Sequence, residues 1–342
     1  MIYTKFSRQV VASAALFGVI AGGATAQTEV TYAHSENPSS VVAAEAFKTM
    51  AEGRSGGELE VNLVIHGALG SDRDVVDQLM LGEIDMYVVG VHGLSAVAPN
   101  FQLFDAPYLF TDRREFYQLM EDTEFVSYVR DHLLEKSNEA IRFMGAAENS
   151  VRNLYTADGP MRLPSDLGNT KLRVSPGPLN IALWEGLGIG SVVGLSGSER
   201  NQALQTGIID GVEGSLSGAA GNGHLDILNN ISMTGHSYSY MAYLLNNEFY
   251  DDLSPDLQSV LNEAIDLSIM IQNGAAITLE QTALEEARSN GNVVTVLTAE
   301  ELATWQDLAF PIGQKFIAEE LDQDFVETAL TALKNVREDF AN

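Results

Sequence analysis

Between Pro255 and Gly291 the chain offers no second proline and a single weak point, Gly274. Ser254 is placed to cap the start of this run, and Pro255 suits a first helical turn. A helix from Pro255 to Ser289, rising 1.5 Å per residue, would be roughly 50 Å long. That exceeds an ordinary small domain. A helix of this length is expected to serve two packed units, with Gly274 as the place for any kink.

The remainder alternates strands with helices. Glu29 to Ala33 and Leu59 to Ile65 read as strands around a helix from Ser39 to Glu52. This is a βαβ unit, which favours an open α/β sheet. Asp72 to Gly82 reads as the next helix, followed by a buried strand from Ile84 to Val89. Phe116 to Glu135 reads as one helical stretch. A short strand at Leu172 to Val174 precedes a helix from Leu179 to Leu187, stopped by Gly188. Ser196 with Glu199, and Thr298 with Glu301, have capping-box spacing. Ile208 to Val212 reads as a further strand. Trp184, Trp305, Met80, Met86 and Met144 sit among apolar residues and are expected in cores.

The first residues address the compartment. Lys5 and Arg8 precede an apolar run from Val10 to Gly23, and Ala24-Thr25-Ala26 ends it with an A-x-A pattern. This predicts a signal peptide over residues 1–26. The run is shorter than the roughly 20 residues that span a bilayer, and no later segment spans one. A periplasmic protein of 316 residues is expected, which suits two domains. The formal charge of −28 becomes −30 once Lys5 and Arg8 are gone. Such a chain repels nucleic acid and anionic lipid, so neither is expected as a partner. An anionic ligand must then be held by a local cation. The absence of cysteine excludes thiol catalysis and thiolate metal sites.

Catalytic signatures are missing: no H-E-x-x-H, no P-loop, no EF-hand loop and no G-x-S-x-G elbow. Gly186-Leu187-Gly188-Ile189-Gly190 follows a helix and reads as a helix stop with a turn. The six histidines show no metal-ligand spacing on one element, and no cofactor or metal is read. The scarce cations say more. Arg152, in Ser150-Val151-Arg152-Asn153-Leu154-Tyr155, and Arg173, in Lys171-Leu172-Arg173-Val174, lie on apparent buried strands. A strand arginine turned to the interior needs a partner. Each is on a solvated strand face, half of a structural ion pair, or a carboxylate clamp facing a cleft.

At these residues the sequence resembles the periplasmic substrate-binding proteins of tripartite ATP-independent periplasmic (TRAP) transporters, the dicarboxylate-binding type. Gly67-Ala68-Leu69-Gly70-Ser71-Asp72-Arg73, Gly82-Glu83-Ile84-Asp85-Met86 and Phe104-Asp105-Ala106-Pro107-Tyr108-Leu109-Phe110 match successive family motifs. Asp166-Leu167-Gly168 with Lys171 to Val174, and Ala203 to Gly211, match two more, all in family order. The resemblance implies two α/β lobes of the periplasmic-binding-protein type, each a mixed sheet flanked by helices and sharing the long helix. Lobe I is expected over 27–149 and about 240–273, and lobe II over 150–239 and about 274–342. It further implies that Arg173 clamps a ligand carboxylate with Arg152 nearby, and that the membrane subunits of a TRAP transporter are the partners. Whether the chain is a monomer or a dimer stays open.

Two departures bear on the ligand. Gly197 stands where members carry an aromatic residue, and Gly214, in Asp210-Gly211-Val212-Glu213-Gly214-Ser215, replaces an asparagine that helps hold the carboxylate. A roomier pocket is expected, suited to a sugar, aromatic or oxo acid bulkier than a C4-dicarboxylate. The alternative is that Ser196, Ser198 or Ser215 and a water replace the lost contacts. Further ligand contacts are expected from Tyr32, His34, Ser35 and Glu36 after the first strand, and from Asp72, His92, Ser175, Glu213, Tyr238 and Tyr240. A secreted two-lobe enzyme, or a binding protein feeding a sensor, are the competing functions.

Overall fold

The computed structural model describes residues 27–341. The expected signal peptide lies outside the described residues. Nine strands form one connected sheet: β1 (Thr28–His34), β2 (Leu59–Ile65), β3 (Met86–Gly90), β4 (Ile141–Thr156), β5 (Lys171–Val174), β6 (Ser191–Gly194), β7 (Gly211–Ser215), β8 (Asn230–Asn246) and β9 (Val293–Val296). Their order is β2-β1-β3-β8-β4-β7-β5-β6, with β9 beside the first part of β8.

Two long antiparallel strands make this arrangement two-lobed. The first part of β4 pairs with the last part of β8, and there β8 also pairs with β3. Beyond a register shift between Glu148 and Ser150, the rest of β4 pairs with β7 while the start of β8 pairs with β9. Within the lobes, β1 runs parallel to β2 and β3, and β5 runs parallel to β6 and β7. Parallel neighbours need helical crossovers, which cover the sheet faces and bury the strands on both sides. Four apolar clusters result. Two pack around Phe47, Tyr243, Phe101 and Phe143 in the first lobe; two pack around Tyr155, Ile231, Trp184 and Trp305 in the second.

The helix Pro255–Ser289 is continuous through Gly274 and touches both lobes. Ser268 donates to the Ala43 carbonyl at 2.8 Å in the first lobe. Asn273 Oδ1 accepts from the Glu148 N–H at 2.7 Å, and Glu280 accepts from the Ser150 hydroxyl at 2.8 Å, where β4 crosses over. Ala283 and Ala287 then enter the second lobe's core. Both expected capping boxes form, with Glu199 accepting from the Ser196 N–H at 3.0 Å and Glu301 from the Thr298 N–H at 2.7 Å.

Three expectations differ from the structure. The helical stretch 116–135 is two helices, Arg113–Glu121 and Thr123–Lys136, because Asp122 leaves helical geometry and caps the second. The strand expected at 208–212 is β7, shifted to Gly211–Ser215; Ile208 is solvent-exposed after the Gly207 turn. The helix Gln323–Ala341, expected with the second lobe, sends Phe325 and Leu333 into the first lobe's cluster with Phe104 and Phe116.

Candidate functional site

The cleft lies where the parallel strands of both lobes end. In open α/β sheets this is where loops leave space for ligands. The first lobe contributes Ser35 to Asn37 after β1, His66 after β2, Asp72 at the next helix start, and Gly90 and His92 after β3. The second contributes Arg173 and Ser175 from β5, Gly197 and Arg200 from the helix Gly197–Gln205 after β6, and Glu213 to Ser215 from β7. Together they enclose about 750 Å³ of empty space, part of it continuous with solvent. The lobes meet around it: Asn37 Nδ2 donates to Ser215 Oγ at 3.1 Å, and the Leu179 N–H donates to Gln102 Oε1 at 2.9 Å.

Arg152 and Arg173 enter the cleft wall in different electrostatic states. Arg152 Nε donates to Glu213 Oε2 at 2.7 Å, and its Nη2 donates to Glu213 Oε1 and to Ser175 Oγ, the latter at 3.0 Å. His236 adds its Nε2 at 3.4 Å from Glu213 Oε2. Burial pushes the Glu213 carboxyl up, but Arg152 and His236 outweigh it and hold Glu213 well below the usual carboxylate range. Arg152 is therefore half of a buried bidentate ion pair, its charge already matched.

Arg173 has no such partner. It is 4 % exposed, and its Nε and Nη2 both donate to the Leu195 carbonyl, at 2.9 Å from Nε. Among the described residues it forms no ion pair. Burial, and then repulsion from Arg200, lower its pKa to about 9, which leaves it cationic at neutral pH. The carbonyl fixes one edge of the guanidinium and leaves its remaining N–H groups for an incoming acceptor. Arg173 is thus a buried guanidinium at the cleft wall with no carboxylate partner among the described residues.

The opposite wall is acidic. Asp72 accepts from the Tyr87 hydroxyl at 3.0 Å, with His66 Nε2 3.4 Å and His92 Nε2 3.7 Å away. His92 Nδ1 in turn lies 3.4 Å from the buried Asp105. Glu36 stands beside two glycines: a Cβ on Gly197 would lie 3.5 Å from Glu36 Oε1, and one on Gly67 would lie 3.8 Å from Oε2. The space vacated at Gly197 is thus bordered by a carboxylate. Gly214 differs, because a Cβ there would meet nothing within 4 Å. Its φ of +152° is one that side chains rarely adopt, so glycine keeps this stretch open at no steric cost.

Nine of the expected contacts line the cleft: Arg152, Arg173, Ser175, Glu213, Gly214, Ser35, Glu36, Asp72 and His92, with Ser215 beside them. Tyr32, His34 and Tyr238 do not. Tyr32 is fully buried, its ring 5.2 Å from Phe47 under the helix Pro38–Arg54. His34 is also buried, turned back to the Ser35 carbonyl at 2.9 Å. On β8, Ser239 and Met241 face the cleft, so the alternation of side chains turns Tyr238 and Tyr240 to the other face. There Tyr240 stacks on Phe116 at 3.4 Å, and Tyr238 lines a separate cavity with Phe110 and Phe310. Ser196 and Ser198 bond to each other at 3.0 Å and stay out of the cleft. Arg200, His66, Asn149, Ser239 and Met241 line the cleft without having been read from sequence. Arg200 alone carried a signal, as a scarce cation one turn into a helix that starts at the cleft.

No helix among the described residues is long and apolar enough to cross a membrane. Residues 30–320 match the family described as bacterial extracellular solute-binding protein, family 7. The C4-dicarboxylate-binding periplasmic protein of Rhodobacter capsulatus is 26% identical over 271 residues, covering 79% of this chain and 80% of that protein. The 2,3-diketo-L-gulonate-binding periplasmic protein of Escherichia coli is 26% identical over 231 residues, 67% of this chain and 69% of that protein. The sugar acid binding protein of Advenella mimigardefordensis, solved with galactonate, shares the fold with a TM-score of 0.84 at 23% identity, covering 91% of this chain and 99% of that one. A TRAP periplasmic solute binding protein of Shewanella oneidensis, solved with succinate, matches with a TM-score of 0.82 at 23% identity over 90% and 100% of the two chains.

Proposed function

Because this chain belongs to family 7 of the bacterial extracellular solute-binding proteins, we propose that it captures a small organic acid between its lobes and delivers it to the membrane subunits of a TRAP-type transporter. The observation that carries this reading is Arg173: a buried guanidinium at the cleft wall, bonded only to a carbonyl and without a carboxylate partner among the described residues. A ligand carboxylate would satisfy it bidentately. Glu213 already matches Arg152, so Arg152 acts as a strut that holds the β4–β7 wall and Ser175 in place. The protein itself performs no chemistry; it works in the periplasm, after removal of residues 1–26.

The lobes would close by bending where β4 and β8 cross, at the register shift between Glu148 and Ser150. The open space at Gly214, and relatives named for or solved with diketogulonate and galactonate, support an acid bulkier than a C4-dicarboxylate. A thermal-shift screen of organic acids on the chain from residue 27 tests this reading. A true ligand at a hundredfold excess over its Kd adds about 2.7 kcal/mol of stability and raises Tm. No shift with any acid would overturn it.

A further inference from the structure

Arg200 is half-buried on the cleft wall, and its Nε is shielded from solvent with no hydrogen-bond partner. It forms no ion pair among the described residues. The nearby His224 adds no further positive charge: burial, then Arg200 and Arg173, push its pKa down to about 3, so it is neutral where the protein works. An unsatisfied guanidinium N–H is costly in a shielded site, so Arg200 awaits an acceptor.

The acid that faces it most strongly is Glu36, whose attraction partly offsets the lowering of the Arg200 pKa by burial. Glu36 comes from the first lobe and Arg200 from the second, and the two are not in ion-pair contact. Glu36 makes no hydrogen bond among the described residues. Its carboxylate lies beside Gly197, at the start of the helix that carries Arg200.

The remaining charged groups of the wall are engaged. Arg152 and Glu213 match each other, and Asp72 holds the Tyr87 hydroxyl between two histidine rings. This leaves two uncommitted guanidiniums, Arg173 and Arg200, against one uncommitted carboxylate, Glu36. A ligand carboxylate on Arg173 would meet a guanidinium that is bonded only to the Leu195 carbonyl. A second would add a like charge beside Glu36, which costs affinity for a diacid. A hydroxyl suits the second position, because it can accept from a guanidinium and donate to a carboxylate at once.

We propose that Arg200 and Glu36 form a second recognition pole for a ligand hydroxyl, and that they select a singly charged polyhydroxy acid over the corresponding diacid. This rests on the reading of Arg173 as the carboxylate clamp. Glu36 rejects the second carboxylate, and Arg200 adds affinity for the hydroxylated end.

Calorimetric competition with matched pairs tests the proposal: galactonate against galactarate, and glucuronate against glucarate, with malate alongside. For the unaltered chain the tightest binder is expected to be a monoacid, at least tenfold above its diacid. Glu36→Gln should narrow that ratio at least tenfold. Arg200→Gln should weaken the monoacid at least tenfold, with Arg200→Lys recovering part of the loss. Circular dichroism and the ligand-free Tm establish that the variants fold. A diacid that binds as tightly as its monoacid, or a ratio unmoved by Glu36→Gln, would overturn the proposal. Failure of every acid to bind the unaltered chain would instead remove the clamp on which it rests.

Discussion

Replacing Glu213 with glutamine preserves shape and removes one charge. The carboxylate is fully buried and holds Arg152 through two hydrogen bonds, with the Ser175 N–H at 3.2 Å as a third donor. Removing one partner of a buried pair leaves the other uncompensated, at a cost of about 3–5 kcal/mol. Glutamine keeps one acceptor oxygen, which points to the lower end, ~3 kcal/mol. At about 2 °C per kcal/mol for a chain of this size, Tm should fall by roughly 6 °C. The pH dependence has a definite sign. Glu213 titrates well below its unfolded value in the native protein, so its stabilisation is present above about pH 4.5 and is lost as pH falls further. Differential scanning calorimetry from pH 3 to 8 should therefore show a flatter acid limb in Glu213→Gln than in the unaltered chain. A Tm within 1 °C or so of the unaltered protein at pH 7, with an unchanged acid limb, would refute the claim that Arg152 depends on Glu213.

Trp305 is fully buried, stands edge-on to Trp184 at 6.1 Å and donates to the Arg162 carbonyl at 2.8 Å; Trp305→Ala should cost about 3–5 kcal/mol in urea denaturation. Gly214→Asn should lower stability by about 1–3 kcal/mol through its φ of +152° and, by filling the open wall, shift calorimetric preference toward smaller acids; tighter succinate binding than any larger acid in the unaltered chain would contradict the roomy cleft. Affinity for an acid should stay level from pH 6.5 to 8, because Arg173 keeps its proton and the ligand carboxylate stays ionised; calorimetry showing a tenfold change over that range would contradict the clamp.

Some of this architecture was legible because local signals and tertiary demands agree. The helix from Pro255 to Ser289 begins at a serine cap with proline in its first turn, and no breaker opposes it. Arg173 stood out as a costly cation on an apolar strand, and it lines the cleft. Other parts depend on partners that sequence does not show. β7 carries Glu213 and two glycines, a poor strand by composition, and forms because Arg152 on β4 matches the glutamate. The lengths of β4 and β8 were hidden because both are buried on both faces and broken by register shifts, which erase simple alternation. Tyr238 pairs with Val151 close to the crossing of the long strands, yet its side is set by strand parity that only the register fixes. Arg200 carried only the signal of a scarce cation near a helix start, and its place on the cleft wall is fixed by the fold.

The most direct measurement is isothermal titration calorimetry of the tightest-binding organic acid against the unaltered chain and Arg173→Gln. Loss of one side of a buried charge pair costs about 2–5 kcal/mol. At tenfold per 1.4 kcal/mol, affinity should drop by roughly 30-fold to more than a thousandfold while the ligand-free Tm rises or stays level. Binding that survives Arg173→Gln within a few-fold would show that the carboxylate is held elsewhere and contradict the account.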